Sequence, residues 1–128
     1  MARSLSELSG KSKDCDFILK FVYGLNELDR RVFRALSDNG RGMKIDSLAA
    51  ELGKDRSTIY RSAQRLKETD LVEKRKVDYD SGGYYHVYVP ESPGEAAEDM
   101  RTQVSDWEEK MSEMIEEFRD SCDQQGTD

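Results

Sequence analysis

The sequence predicts a mainly α-helical chain with one small β-hairpin. Three patterns carry this: helix-spaced apolar residues up to Leu66, two β-rich runs flanking Gly82-Gly83, and a heptad seam towards the C-terminus. In the middle of the chain two short helical patterns run straight into the hairpin, followed by one long helix.

Taken in order, Phe17, Ile18, Phe21, Val22 and Leu25 are spaced as one face of a first helix, which Gly24 ends or bends. Asn26 suits the N-cap of the next helix, and Asp29 favours its positive end. Leu28, Val32, Ala35 and Leu36 form its apolar stripe, Asn39-Gly40 ends it, and Arg30, Arg31 and Arg34 fall mainly on the other side. A third helix from Ile45 to Leu52 turns Leu48, Ala49 and Leu52 inward and stops at Gly53. Asp55 caps a fourth, whose inward residues are Ile59, Ala63 and Leu66. Tyr60 is expected to pack on a neighbouring helix. Leu71 to Val77 and Tyr84 to Val89 are the hairpin strands, closed off by Pro90 and Pro93.

This order is that of a winged helix-turn-helix domain followed by a long C-terminal helix. The expected organisation is a flexible N-terminus over 1–14, the winged domain over 15–90, a dimerisation helix over 93–121 and a disordered tail over 122–128.

The net charge of −7 argues against a nucleic-acid partner until its distribution is examined. From Arg41 to Lys76 there are ten Lys/Arg against six Asp/Glu, whereas from Pro93 onward there are three against twelve. Acid is concentrated at the C-terminus, and the candidate reading surface is basic. The acidity fits either a surface adapted to a salt-rich cytosol or a simple acidic tail. No apolar run is long enough to span a membrane, and 1–14 lacks the apolar core of a signal peptide, so a cytoplasmic location is expected. Two cysteines make no disulfide framework, and one histidine leaves a structural zinc site short of ligands. With no phosphate loop and no catalytic constellation, neither an enzyme nor a cofactor is implied, and no small-molecule ligand is identifiable.

Burial of Ile59, Ala63 and Leu66 leaves the opposite side of the fourth helix outward. Ser57 and Thr58 near its start can approach phosphates and bases closely. Arg61 is the candidate for a base-edge contact, because its fork takes two acceptors on guanine. Arg56 and Arg65 are candidate phosphate clamps, with Gln64 on the same side. In the hairpin, Lys74, Arg75 and Lys76 with Tyr84 and Tyr85 are placed to reach a flanking groove or the backbone. The plainer alternative is a solvated charged face.

The residues Leu48-Ala49 through Leu52-Gly53, then Asp55-Arg-Ser-Thr-Ile-Tyr-Arg61, Leu66 and Leu71-Val-Glu-Lys-Arg75, resemble the DNA-binding domain of TrmB-like archaeal winged-helix regulators. The resemblance runs from about Leu25 to Val89. It implies a sequence-specific transcription factor whose second motif helix enters the major groove of double-stranded DNA, and dimerisation through a helix after the wing. Two positions depart from the family pattern: Lys44 stands where Ser or Thr often caps the first motif helix, and Asp70 where Gly usually precedes the wing. The sugar-binding domain of longer family members is not expected in this chain, so sugar sensing is not carried over.

Ala97, Met100, Val104, Trp107, Met111, Met114 and Phe118 recur at alternating steps of three and four, an a/d seam along roughly 32 Å of helix. Such a stripe requires a partner, expected to be a second copy; folding back on the first helix is compatible with that. A homodimer would hold two reading heads over half-sites about one helical turn apart. Small regulators of the resembled kind include thiol-based redox sensors, so Cys15 and Cys122 are candidate redox residues beside the reading of two ordinary thiols. Rival functions are an architectural DNA binder with little sequence preference, or a protein-interaction module using the acidic helix.

Overall fold

The computed structural model describes residues 15–126, with side chains described to 123; the expected flexible segment 1–14 lies outside the described residues. Helix α1 covers 15–23. It is followed by α2 (Glu27–Asn39), α3 (Ile45–Leu52), α4 (Arg56–Glu68), β1 (Val72–Asp78), β2 (Tyr84–Pro90) and α5 (Pro93–Gly126). The chain divides into two units, Met1–Ser92 and Pro93–Asp128.

The helix ends of the first unit follow local chemistry. Asn26 Oδ1 accepts the Asp29 N–H at 2.8 Å, and Asp55 Oδ1 accepts the Thr58 N–H at 2.8 Å. Gly40 and Gly53 end α2 and α3 in the left-handed region, where a Cβ would be strained. Lys44 precedes α3 without a side-chain cap. Asp70 is left-handed at φ 66°, alone among the described non-glycine residues, so the position where glycine was expected carries a real backbone cost.

The core joins α2, α3 and α4 through Val32, Leu36, Leu48, Ile59, Ala63 and Leu66, each with no exposed surface. In α1 the inward residue is Leu19, which the apolar spacing passed over, whereas Phe17, Ile18 and Phe21 are exposed. Phe17 and Phe21 stack with ring centroids 5.7 Å apart. Asp29 is buried as well, with 1% of its surface exposed.

The hairpin is antiparallel, with Lys74 opposite Tyr88, Lys76 opposite His86 and Val77 opposite Tyr85. Met43 forms a short third rung by exchanging two backbone hydrogen bonds with Tyr88, at 3.1 and 2.9 Å. Gly42, just before it, has no room for a side chain: a Cβ there would lie 2.6 Å from Val87 Cγ2.

In the second unit, α5 is a single helix of 34 residues that continues past residue 121, where the sequence reading ended it and began a tail. Val104, Trp107, Met114 and Phe118 are 41, 52, 50 and 70% exposed; Ala97, Met100 and Met111 are half-buried. Ile115, which the heptad reading left out, is exposed beside them. Among the described residues no helix is long and apolar enough to cross a membrane.

Candidate nucleic-acid interface

The outward side of α4 follows from its inward one. Ile59, Ala63 and Leu66 are fully buried, so Arg56, Ser57 and Arg61 are left exposed and Thr58 half-buried. Asp55 already occupies the positive end of α4. Hydrogen bonds from the Thr58 hydroxyl and the Thr58 N–H hold its carboxyl below the usual value of 3.8, and Ser57 and the charge of Arg61 act in the same direction. The helix start therefore presents arginines to a partner, while the Ser57 and Thr58 hydroxyls and one free N–H are bonded to Asp55 and reach a partner only by exchanging it.

Arg56 pairs with Asp46 at 2.7 Å, both well exposed, so the pair is cheap to break. Arg65 is engaged differently from the other arginines. Its Nε donates to Asp29 Oδ2 at 2.9 Å and its Nη2 to Oδ1 at 2.8 Å, and Ser62 Oγ donates to Oδ1 at 2.6 Å. The bonds to Asp29 raise the Arg65 guanidinium's already high pKa, and together with the Ser62 bond they pin α4 onto α2. Gln64 is half-buried, with its Oε1 accepting from the Tyr88 hydroxyl at 3.4 Å, so it links α4 to the hairpin.

Hairpin register splits the basic run Lys74-Arg75-Lys76. Side chains alternate along a strand, so Lys74, Lys76, Tyr84 and His86 share one face, and Arg75 and Tyr85 share the other. On the first face Lys76 Nζ lies 4.5 Å from the Tyr84 ring centre, and Lys74 Nζ is about 6 Å from Tyr60 and Tyr88. Tyr60, 41% exposed, sits beside the hairpin. Arg75 bonds to Glu73 on its own strand, which raises the guanidinium's pKa.

Between the starts of α3 and α4 and the outer half of β2 lies an open cleft of about 370 Å³. Its walls include Lys44, Arg56, Tyr60, Lys74, Tyr84 and Tyr85. Lys44 donates to the Tyr79 hydroxyl at 3.2 Å, with its Nζ 4.2 Å from the Tyr85 ring centre. At the cleft floor burial pushes the Tyr88 phenol above its usual pKa of 10.0, reinforced by Tyr60 and opposed by Arg56. Sequence spacing does not mark Lys44 and Tyr60 as site residues, because only the fold brings them to β2.

Cys15 and Cys122 are free and exposed. Among the described residues, no three His, Cys, Asp or Glu side chains are grouped to hold a metal ion.

A family profile described as sugar-specific transcriptional regulator TrmB matches residues 19–94. An uncharacterised protein of Methanocaldococcus jannaschii is 30% identical over 103 residues, 80% of this chain and 77% of that protein. A second from the same organism is 25% identical over 104 residues, 81% and 85% of the respective chains. Among solved structures, a possible transcriptional regulator of Methanosarcina mazei aligns with a TM-score of 0.70 at 23% identity, over 80% of this chain and 86% of that one. A protein of Sulfolobus tokodaii aligns at 0.65 and 16% identity, over 79% and 98%. These two likenesses bear on the fold.

Proposed function

The chain belongs to the TrmB family of transcriptional regulators, and on that premise we propose that it binds specific DNA sequences as a homodimer. This is a family of regulators and not of enzymes. The observation that carries the proposal is the exposed front of α4, where Ser57, Arg56 and Arg61 face outward from a fully buried Ile59-Ala63-Leu66 side. In the proposed complex α4 enters the major groove, Arg61 takes a guanine edge, and Arg56 exchanges Asp46 for a phosphate. Ser57 and Thr58 contact the backbone. Lys74 and Lys76, with Tyr84, follow the flanking backbone; Tyr85 joins them from the cleft wall beside Lys44, and Arg75 lies on the other face of the hairpin. Arg65 acts mainly by orienting α4.

The homodimer part rests on the exposed Val104, Trp107, Met114, Ile115 and Phe118 of α5, a run of large apolar side chains best covered by the same face of a second copy. Sedimentation of wild type and of Phe118→Glu tests it; a monomer in both sinks the dimer. Exposure of both cysteines keeps a thiol switch, and with it the cytoplasmic setting, within the proposal. Oxidant-dependent DNA binding that survives Cys15→Ser and Cys122→Ser removes it.

The decisive experiment compares genome-wide occupancy with binding to the short motif recovered from it, for wild type and Arg61→Ala. Sharp peaks sharing a palindrome, with loss of preference at one position in Arg61→Ala, are expected. Broad coverage insensitive to sequence would mean an architectural protein, and no DNA retention would end the proposal.

A further inference from the structure

We infer that the cleft between α4 and the hairpin is a binding site for a small planar aromatic carboxylate, whose occupancy displaces DNA. The displacement half rests on the proposed DNA-binding function; the binding half does not.

The lining argues for the ligand class. About 370 Å³ is at the low end of small-molecule sites, which run from roughly 300 to 1,000 Å³, and suits one or two fused rings. Tyr60, Tyr84 and Tyr85 offer ring faces and edges for stacking, over a floor closed by the buried Tyr88. The charge balance favours an anion: among the described residues Lys44 and Lys74 line the cleft without a carboxylate within ion-pair distance, and the lining acid, Asp46, is already matched by Arg56. An ammonium has three N–H donors, and Lys44 gives one to Tyr79, so others remain for a carboxylate. A phosphate alone would use the cations but gain nothing from the three accessible rings. Arg56, Lys74 and Tyr84 are also proposed DNA contacts, so a ligand resting on them competes for the same groups.

The test is an NMR titration of the full chain with 2-naphthoate, with cyclohexanecarboxylate and inorganic phosphate as comparison probes. Expected is a saturable shift confined to the amides and rings around Lys44, Tyr84 and Tyr85, with the two comparison probes at least about tenfold weaker. Lys44→Gln should weaken 2-naphthoate about tenfold by removing the charged donor. Tyr84→Ala, at a position 56% exposed and so safe for folding, should weaken it through lost stacking. Equal binding of phosphate, or no saturable shift, overturns the site. In a parallel anisotropy assay 2-naphthoate should release a bound duplex from wild type. Release that is absent while the NMR shift persists overturns the competition and leaves the site standing. A chain that binds no duplex at all fails the regulator proposal without touching the NMR result.

Discussion

Arg65 and Asp29, 36 residues apart in sequence, meet through two parallel hydrogen bonds of 2.8 and 2.9 Å, with the carboxylate buried and the guanidinium 44% exposed at the surface. A hydroxyl from Ser62 completes the carboxylate's partners. The pair sets the rotation of α4 about its axis relative to α2, and with it the direction in which Arg61 points.

Removing the arginine leaves Asp29 buried with only Ser62 and its own helix for company. Arg65→Ala is expected to cost about 3 kcal/mol in urea unfolding. Asp29→Asn should cost less, because its neutral amide has no charge to desolvate. Equal stability of wild type and Arg65→Ala would show that the pair contributes no fixed orientation.

Gly42 is required by space, not by backbone angle. A methyl group there would meet Val87 Cγ2 at 2.6 Å and Val87 Cβ at 2.8 Å, so β2 must shift. Gly42→Ala should destabilise by about 2 kcal/mol, with the largest chemical-shift changes along β2. Gly42→Ala with Val87→Ala should recover part of the loss.

Asp55 makes stability depend on pH in a defined direction. Its folded pKa is depressed below 3.8, chiefly by the Thr58 hydrogen bonds, so its contribution is present above that value and is lost as pH falls through the lower folded one. Urea midpoints of wild type and Asp55→Ala should differ at neutral pH and converge in acid. A gap that stays constant would assign the cap to something other than the ionised carboxylate.

Lys76 carries no base information in the proposed complex, only charge. Lys76→Ala should therefore weaken all duplexes alike and reduce the slope of log affinity against log salt by about 1. Loss confined to one operator would instead make Lys76 a reader of sequence.

Much of the fold was legible because its signals are local. Asn26, Asp55, Gly40 and Gly53 each act within a turn of where they stand, and the buried stripes of α2 and α4 follow helical spacing. What escaped depends on contacts between distant residues. From sequence Asp29 is a favourable charge at a helix start, since nothing in its neighbours reveals Arg65 one helix pair away. Lys44 was noted only as a poor cap, and its role opposite Tyr79 and Tyr85 exists only once the hairpin folds back. The division of Lys74-Arg75-Lys76 was legible in strand alternation, but not which face turns towards α4.

The two backbone bonds between Met43 and Tyr88 graft the hairpin onto the segment that leads into α3. Those bonds tie the base of the hairpin to the segment before α3, so helix tip and hairpin base behave as the jaws of a caliper set at manufacture. A duplex whose grooves do not match that gauge has to bend or twist to enter, and sequences that deform easily would be admitted ahead of stiff ones carrying the same base edges.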